Sequence, residues 1–199
     1  MPREVISARS VAEAYLYVFV TPCSMCRHGA REVSVLSGAP ESAVFRLVSA
    51  CGNCAGTEEF FFSAPGSLPS VDPLSSSQPL NPTADASTLI DVGQWLTLHQ
   101  CMLERAEETP DPSERRWRRF RAVQCLDEAL KFYGADSELP PESAFFADSS
   151  RRAFREHPQR FARSRLLDLR ARLPDVEVEA KVARQVARVG RQRRWWKFW

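Results

Sequence analysis

The chain has 199 residues, 44% of them hydrophobic, which suffices for a buried core, either as one compact domain or as a small module joined to a larger one. Its formal net charge of +2 hides a split: residues 1–150 carry 12 Lys/Arg against 20 Asp/Glu, residues 151–199 carry 15 against 5, so anions are expected at the C-terminal part. The opening MPREVISARSVAEAY has no apolar run behind a basic start, and no apolar stretch reaches the roughly 18 residues of a membrane span; the expectation is a cytoplasmic protein with reduced thiols.

In chain order, LYVFV (16–20) is apolar, β-branched or aromatic and reads as a strand entering the pair Cys23 and Cys26. EVSVL (32–36) reads as the strand leaving it, and SGAPE (37–41) as a turn. VFRLV (44–48) alternates like a strand entering Cys51 and Cys54, and EEFFF (58–62) leaves that pair. The expected order is strand, CxxC, strand, turn, strand, CxxC, strand.

A Cys-x-x-Cys turn can aim two thiolates at one ion while its amides stabilise the sulfurs, and two such turns complete a tetrahedral zinc shell. On these residues the stretch from about Tyr15 to Phe62 resembles a zinc ribbon, in which two β-hairpins present paired cysteines to one structural zinc. The resemblance implies the ligands Cys23, Cys26, Cys51 and Cys54 and one structural Zn²⁺, with iron possible in the same all-thiolate shell. It departs from the common CxxCG turn by having Arg27 and Ala55 where that turn has glycine. Redox use of the CxxC pairs, as in a thiol redox protein, is the rival reading, along with disulfides; His28 reads as a surface turn residue.

Residues 63–86 carry five prolines among serines and read as an extended linker, with Leu68, Val71, Leu74 and Leu80 as apolar anchors. Asp91 with Gln94 forms a capping box for a helix to about Glu108. Asp111, Pro112 and Glu114 start a second helix, expected to reach Tyr133 with Gly134 as its cap, so that the two form an antiparallel hairpin. Cys101 and Cys125, one on each helix, read as core residues. Ser149 or Ser150 starts a short helix ending near His157, and Pro158 starts another with Phe161, Leu166, Leu167, Leu169 and Leu173 inward. VEVEAKVARQVARVG (176–190) has a last amphipathic period.

Two basic stretches stand out. ERRWRRFR (114–121) puts five arginines at the positive end of a helix dipole, which calls for partners such as Glu104, Glu107 and Glu108 or for an outside anion. The terminal RQRRWWKFW combines cations with aromatic rings, so Arg184, Arg188, Arg191, Arg193, Arg194, Trp195, Trp196, Lys197 and Trp199 are candidate contacts for RNA or a ribonucleoprotein, an anionic membrane surface, or a protein partner. Burial of the tryptophans in the core is the competing use. No nucleotide-binding, hydrolase or metalloprotease motif occurs, and His28, His99 and His157 stand far apart, so no enzyme is expected. The expected architecture is α+β: a four-stranded antiparallel zinc ribbon (1–62), a Pro/Ser-rich linker (63–86), a helical domain (87–174) and a basic amphipathic helix with its aromatic tail (175–199).

Overall fold

The structure, a computed structural model, describes residues 4–29, 31–36, 44–65, 74 and 79–173. These fall into two compact units, the first holding the described residues up to 74 and the second those from 79 to 173. The fold is broadly α+β.

The first unit contains β1 (Val5–Ser7), α1 (Val11–Val20), β2 (Arg31–Leu36), β3 (Val44–Cys51) and β4 (Thr57–Ser63), with sheet order β1-β4-β3-β2. Strand β3 is antiparallel to both its neighbours, β2 and β4, whereas the three-residue β1 runs parallel to β4. Along β3 the side chains alternate, and Phe45, Leu47, Ser49 and Cys51 face inward. Phe45 lies opposite Phe62 of β4 with the rings stacked at 5.8 Å.

The expected strand at 16–20 is instead the second half of α1, so the sheet is not four antiparallel strands and the first cysteine turn is entered from a helix. The start signal lies upstream: Ser10 Oγ accepts from the Glu13 amide at 2.9 Å, and the Glu13 carboxylate accepts from the Arg9 amide at 2.6 Å. Packing then overrides the strand propensity of LYVFV, because Leu16 and Val18 are buried and α1 lies against β2 and β3, where the Tyr15 hydroxyl donates to the Val33 carbonyl at 3.3 Å. Pro22 prevents the helix from continuing to Cys23.

The second unit is built on α2 (Val92–Glu108) and α3 (Pro112–Leu130), packed as a hairpin. Both bonds of the Asp91–Gln94 capping box are present, at 2.8 and 3.0 Å. Fully buried Asp91 also accepts from the amides of Phe146 and Ala147 and from the Ser150 hydroxyl, so one carboxylate organises the start of α2 and of α4 (Asp148–Glu156). Ser149 and Ser150 therefore do not cap α4; its N-cap is Ala147, and Ser150 points inward to Asp91. A Cβ on Gly93 would come 2.5 Å from the Ser150 Oγ, so this close approach requires glycine.

α3 stops at Leu130, three residues short of the expected end, and Gly134 supplies no left-handed cap. Looser bonds close the turn instead, and the Tyr133 hydroxyl donates to the Phe161 carbonyl at 2.7 Å. A 3-10 turn (Pro158–Phe161) leads into α5 (Arg163–Ala171), on which Leu166 is buried but Leu167 is exposed, against expectation. Leu80 and Asn81 are buried, and Asn81 donates to Glu128 of α3 at 3.1 Å.

The arginines of 115–121 find partners at home. Arg119 pairs with Glu107 across the hairpin at 2.7 Å, Arg118 with Glu114 at 2.6 Å, and Arg115 donates to the Thr109 carbonyl. Arg121, 1% exposed, lies 4.6 Å from the Trp117 ring centre. Cys125 is buried, and burial pushes its thiol well up; Cys101 is half-buried.

Candidate metal centre

The two cysteine turns repeat one backbone design. In the first, the Cys23 amide donates to the His28 carbonyl and the Arg27 amide to the Cys23 carbonyl, at 2.9 and 2.8 Å. In the second, the Cys51 amide donates to the Gly56 carbonyl and the Ala55 amide to the Cys51 carbonyl, both at 2.9 Å. Arg27 and Ala55 have φ of 61° and 57°, the left-handed backbone for which a CxxCG turn uses glycine. The turn geometry is thus kept without the glycines.

Neither turn leads into a helix: the first runs from α1 to β2 and the second is the β3–β4 hairpin tip. The sheet brings them together, since Arg31 at the start of β2 lies opposite Cys51 at the end of β3. All four sulfurs then lie within 4.8 Å of one another. Two close contacts cross between the turns, Cys23 to Cys54 at 3.7 Å and Cys26 to Cys51 at 3.6 Å. A tetrahedron with metal–sulfur bonds of about 2.3 Å has edges of about 3.8 Å, whereas a disulfide bond is about 2.05 Å. The donor set fits a thiophilic ion such as zinc. Cys23 and Cys51 are buried, Cys26 is half-buried and Cys54 is exposed.

The surrounding groups favour thiolates unevenly. The amides of Cys26 and Met25 hold the Cys23 thiol below its usual range. The Asn53 side chain and the His28 amide bring Cys26 down to about 6. The Gly56 amide acts on Cys54 in the same sense, but its neighbouring cysteines and burial outweigh it and push it up to about 12. Four clustered sulfurs cannot all ionise alone, and a divalent cation removes that conflict.

Beneath the turns lies a polar clamp that residue spacing did not reveal. Buried Arg31 donates to the Ser49 hydroxyl at 2.7 Å and to the Pro22 carbonyl, next to Cys23, at 2.6 Å, and it forms an ion pair with Glu58. Glu58 in turn accepts from the Ser24 amide at 3.2 Å. Burial raises the Glu58 carboxyl, and the bonds from Ser24 and Arg31 outweigh it and hold it below the usual range. The available signal was Arg31 itself: it shares a strand face with Val33, and a charge at an inward position needs a partner.

His28 is exposed in its turn and joins no metal-binding group among the described residues. The basic and aromatic positions named between 184 and 199 lie outside the described residues. Among the described residues, no helix is long and apolar enough to cross a membrane. Fold and site together define an α+β chain with four cysteines clustered within metal-binding distance. No family model, curated protein or solved structure matches the chain.

Proposed function

We propose that Cys23, Cys26, Cys51 and Cys54 hold one structural zinc ion, and that the chain is a non-enzymatic interaction module of the zinc-ribbon kind whose basic C-terminal region contacts RNA or a ribonucleoprotein. The cross-turn sulfur separations of 3.6 and 3.7 Å, close to a tetrahedral edge, carry the metal reading. Four protein ligands close the shell and leave no position for a substrate, which favours a structural ion over a catalytic one. The same thiolates accommodate iron, and elemental analysis separates the two.

The RNA reading rests on the charge split, 15 Lys/Arg against 5 Asp/Glu in residues 151–199, and on the terminal tryptophans. Thiol titration tests the first part: the four cysteines should resist alkylation until a chelator is added, and free reactivity without chelator overturns the zinc site. Deleting residues 191–199 tests the second: RNA affinity should fall, with little change in far-ultraviolet circular dichroism. An unchanged affinity removes the tail from the account.

A further inference from the structure

The run from Arg151 to Leu173 contains eight arginines against Glu156 and Asp168. Three of the arginines serve the fold. Arg151 pairs with Asp148 at 2.6 Å, Arg170 with Asp127, and Arg163 donates to the carbonyls of Gly134 and Ala135. Arg155, Arg160, Arg165 and Arg172 are exposed, and their side chains make no hydrogen bond or ion pair among the described residues. Arg152 is exposed as well, and after Arg151 it helps to hold the Asp148 carboxyl below the usual range.

Helical period explains the separation. On α4, at 100° per residue, Ser150, Ala153 and Phe154 share one side and Arg151, Arg152 and Arg155 the other. The inner side is occupied: Ser150 bonds Asp91, and Phe154 stacks on Phe145 at 4.4 Å and meets Phe161 edge-on at 5.6 Å. On α5, Leu166 and Arg170 turn inward, while Arg165 and, just past the helix end, Arg172 recur seven residues apart on the outer side. Arginine heads left this way cost solvation nothing until a partner arrives, and so many unpaired cations on adjacent elements repel one another.

We propose that α4, the Pro158–Phe161 turn and α5 form a face that binds the phosphate backbone of a nucleic-acid duplex through Arg155, Arg160, Arg165 and Arg172. Guanidinium forks match phosphate oxygens, and each phosphate neutralised releases counterions. A duplex fits better than a single strand because the aromatic rings of this segment, Phe154 and Phe161, are packed inward and unavailable for base stacking. A membrane surface fits less well, because the outward positions of α4 hold Arg151, Arg152, Arg155 and Glu156 and no apolar side chain, and α5 adds a single exposed large apolar side chain, Leu167, among the described residues. The four arginines belong neither to the cysteine cluster nor to the segment 191–199, so separate substitutions distinguish the failure of this proposal from the failure of those readings.

The test is fluorescence anisotropy of a labelled DNA duplex of about 20 base pairs with the full chain, titrated between about 50 and 200 mM salt. Replacing all four arginines by glutamine should lower the slope of log affinity against log salt by about three to four, while the fourfold lysine variant should keep most of it. Should the glutamine variant lose its helical circular dichroism, the single changes Arg155→Gln and Arg165→Gln replace it, each expected to remove about 0.9. An unchanged slope overturns the proposal, as does binding to phosphatidylserine vesicles without binding to the duplex.

Discussion

Arg27 and Ala55 stand at equivalent points of the two cysteine turns, each with a left-handed backbone and each donating its amide to the carbonyl of the first cysteine of its turn. An L-residue there costs about 1–2 kcal/mol, of which a glycine recovers part and loses part again to its freer unfolded chain. Ala55→Gly should therefore leave stability unchanged or raise it by up to about 1 kcal/mol, while Ala55→Val should lower it by more than about 1 kcal/mol. Denaturant midpoints of the metal-loaded protein check this, and a stabilising valine would show that the turn is not held left-handed.

The clamp under the turns makes a separate prediction. Arg31→Leu leaves Glu58 without its partner and the Pro22 carbonyl without its donor, and because Glu58 is partly exposed the loss should be smaller than the roughly 3 kcal/mol of a fully buried pair. Residues that support metal ligands typically change affinity by about 10–100-fold. Competition with a chromophoric chelator should show weakening of that size in Arg31→Leu, and an affinity equal to the parent would reduce Arg31 to a packing residue.

These two predictions mark what local sequence could and could not reveal. The four clustered cysteines were legible because each CxxC is a complete local unit, β3 was legible from alternation, and β2 and β4 from short apolar runs flanking the cysteine turns. α1 was not, because its five most apolar residues are also good strand formers, and only the Ser10–Glu13 cap upstream distinguishes the two. Arg31 and Glu58 are separated along the chain and meet only through strand pairing. Asp91 was legible as a helix cap, but its bonds to Phe146, Ala147 and Ser150 depend on tertiary packing.

His99 sets a pH dependence for the helical unit. It is buried on α2 with Nδ1 3.0 Å from the Ala122 carbonyl, and burial lowers its pKa although that bond acts the other way. With the folded value below the unfolded value of about 6.5, the unfolded chain binds the proton first, so stability is full above that pH and falls as pH drops below it. The slope should not exceed about 1.4 kcal/mol per pH unit. Chemical unfolding followed at 222 nm between pH 7.5 and pH 5 should show this loss in the parent and a smaller one in His99→Gln; equal losses would exclude His99 as the source.

Native mass spectrometry of the full chain reads the central claim in a single mass. A four-cysteine zinc centre predicts the chain plus one zinc, with that mass lost on chelation together with the structure of the first unit. A metal-free chain lighter by four hydrogens, as paired disulfides Cys23–Cys54 and Cys26–Cys51 would produce, contradicts it.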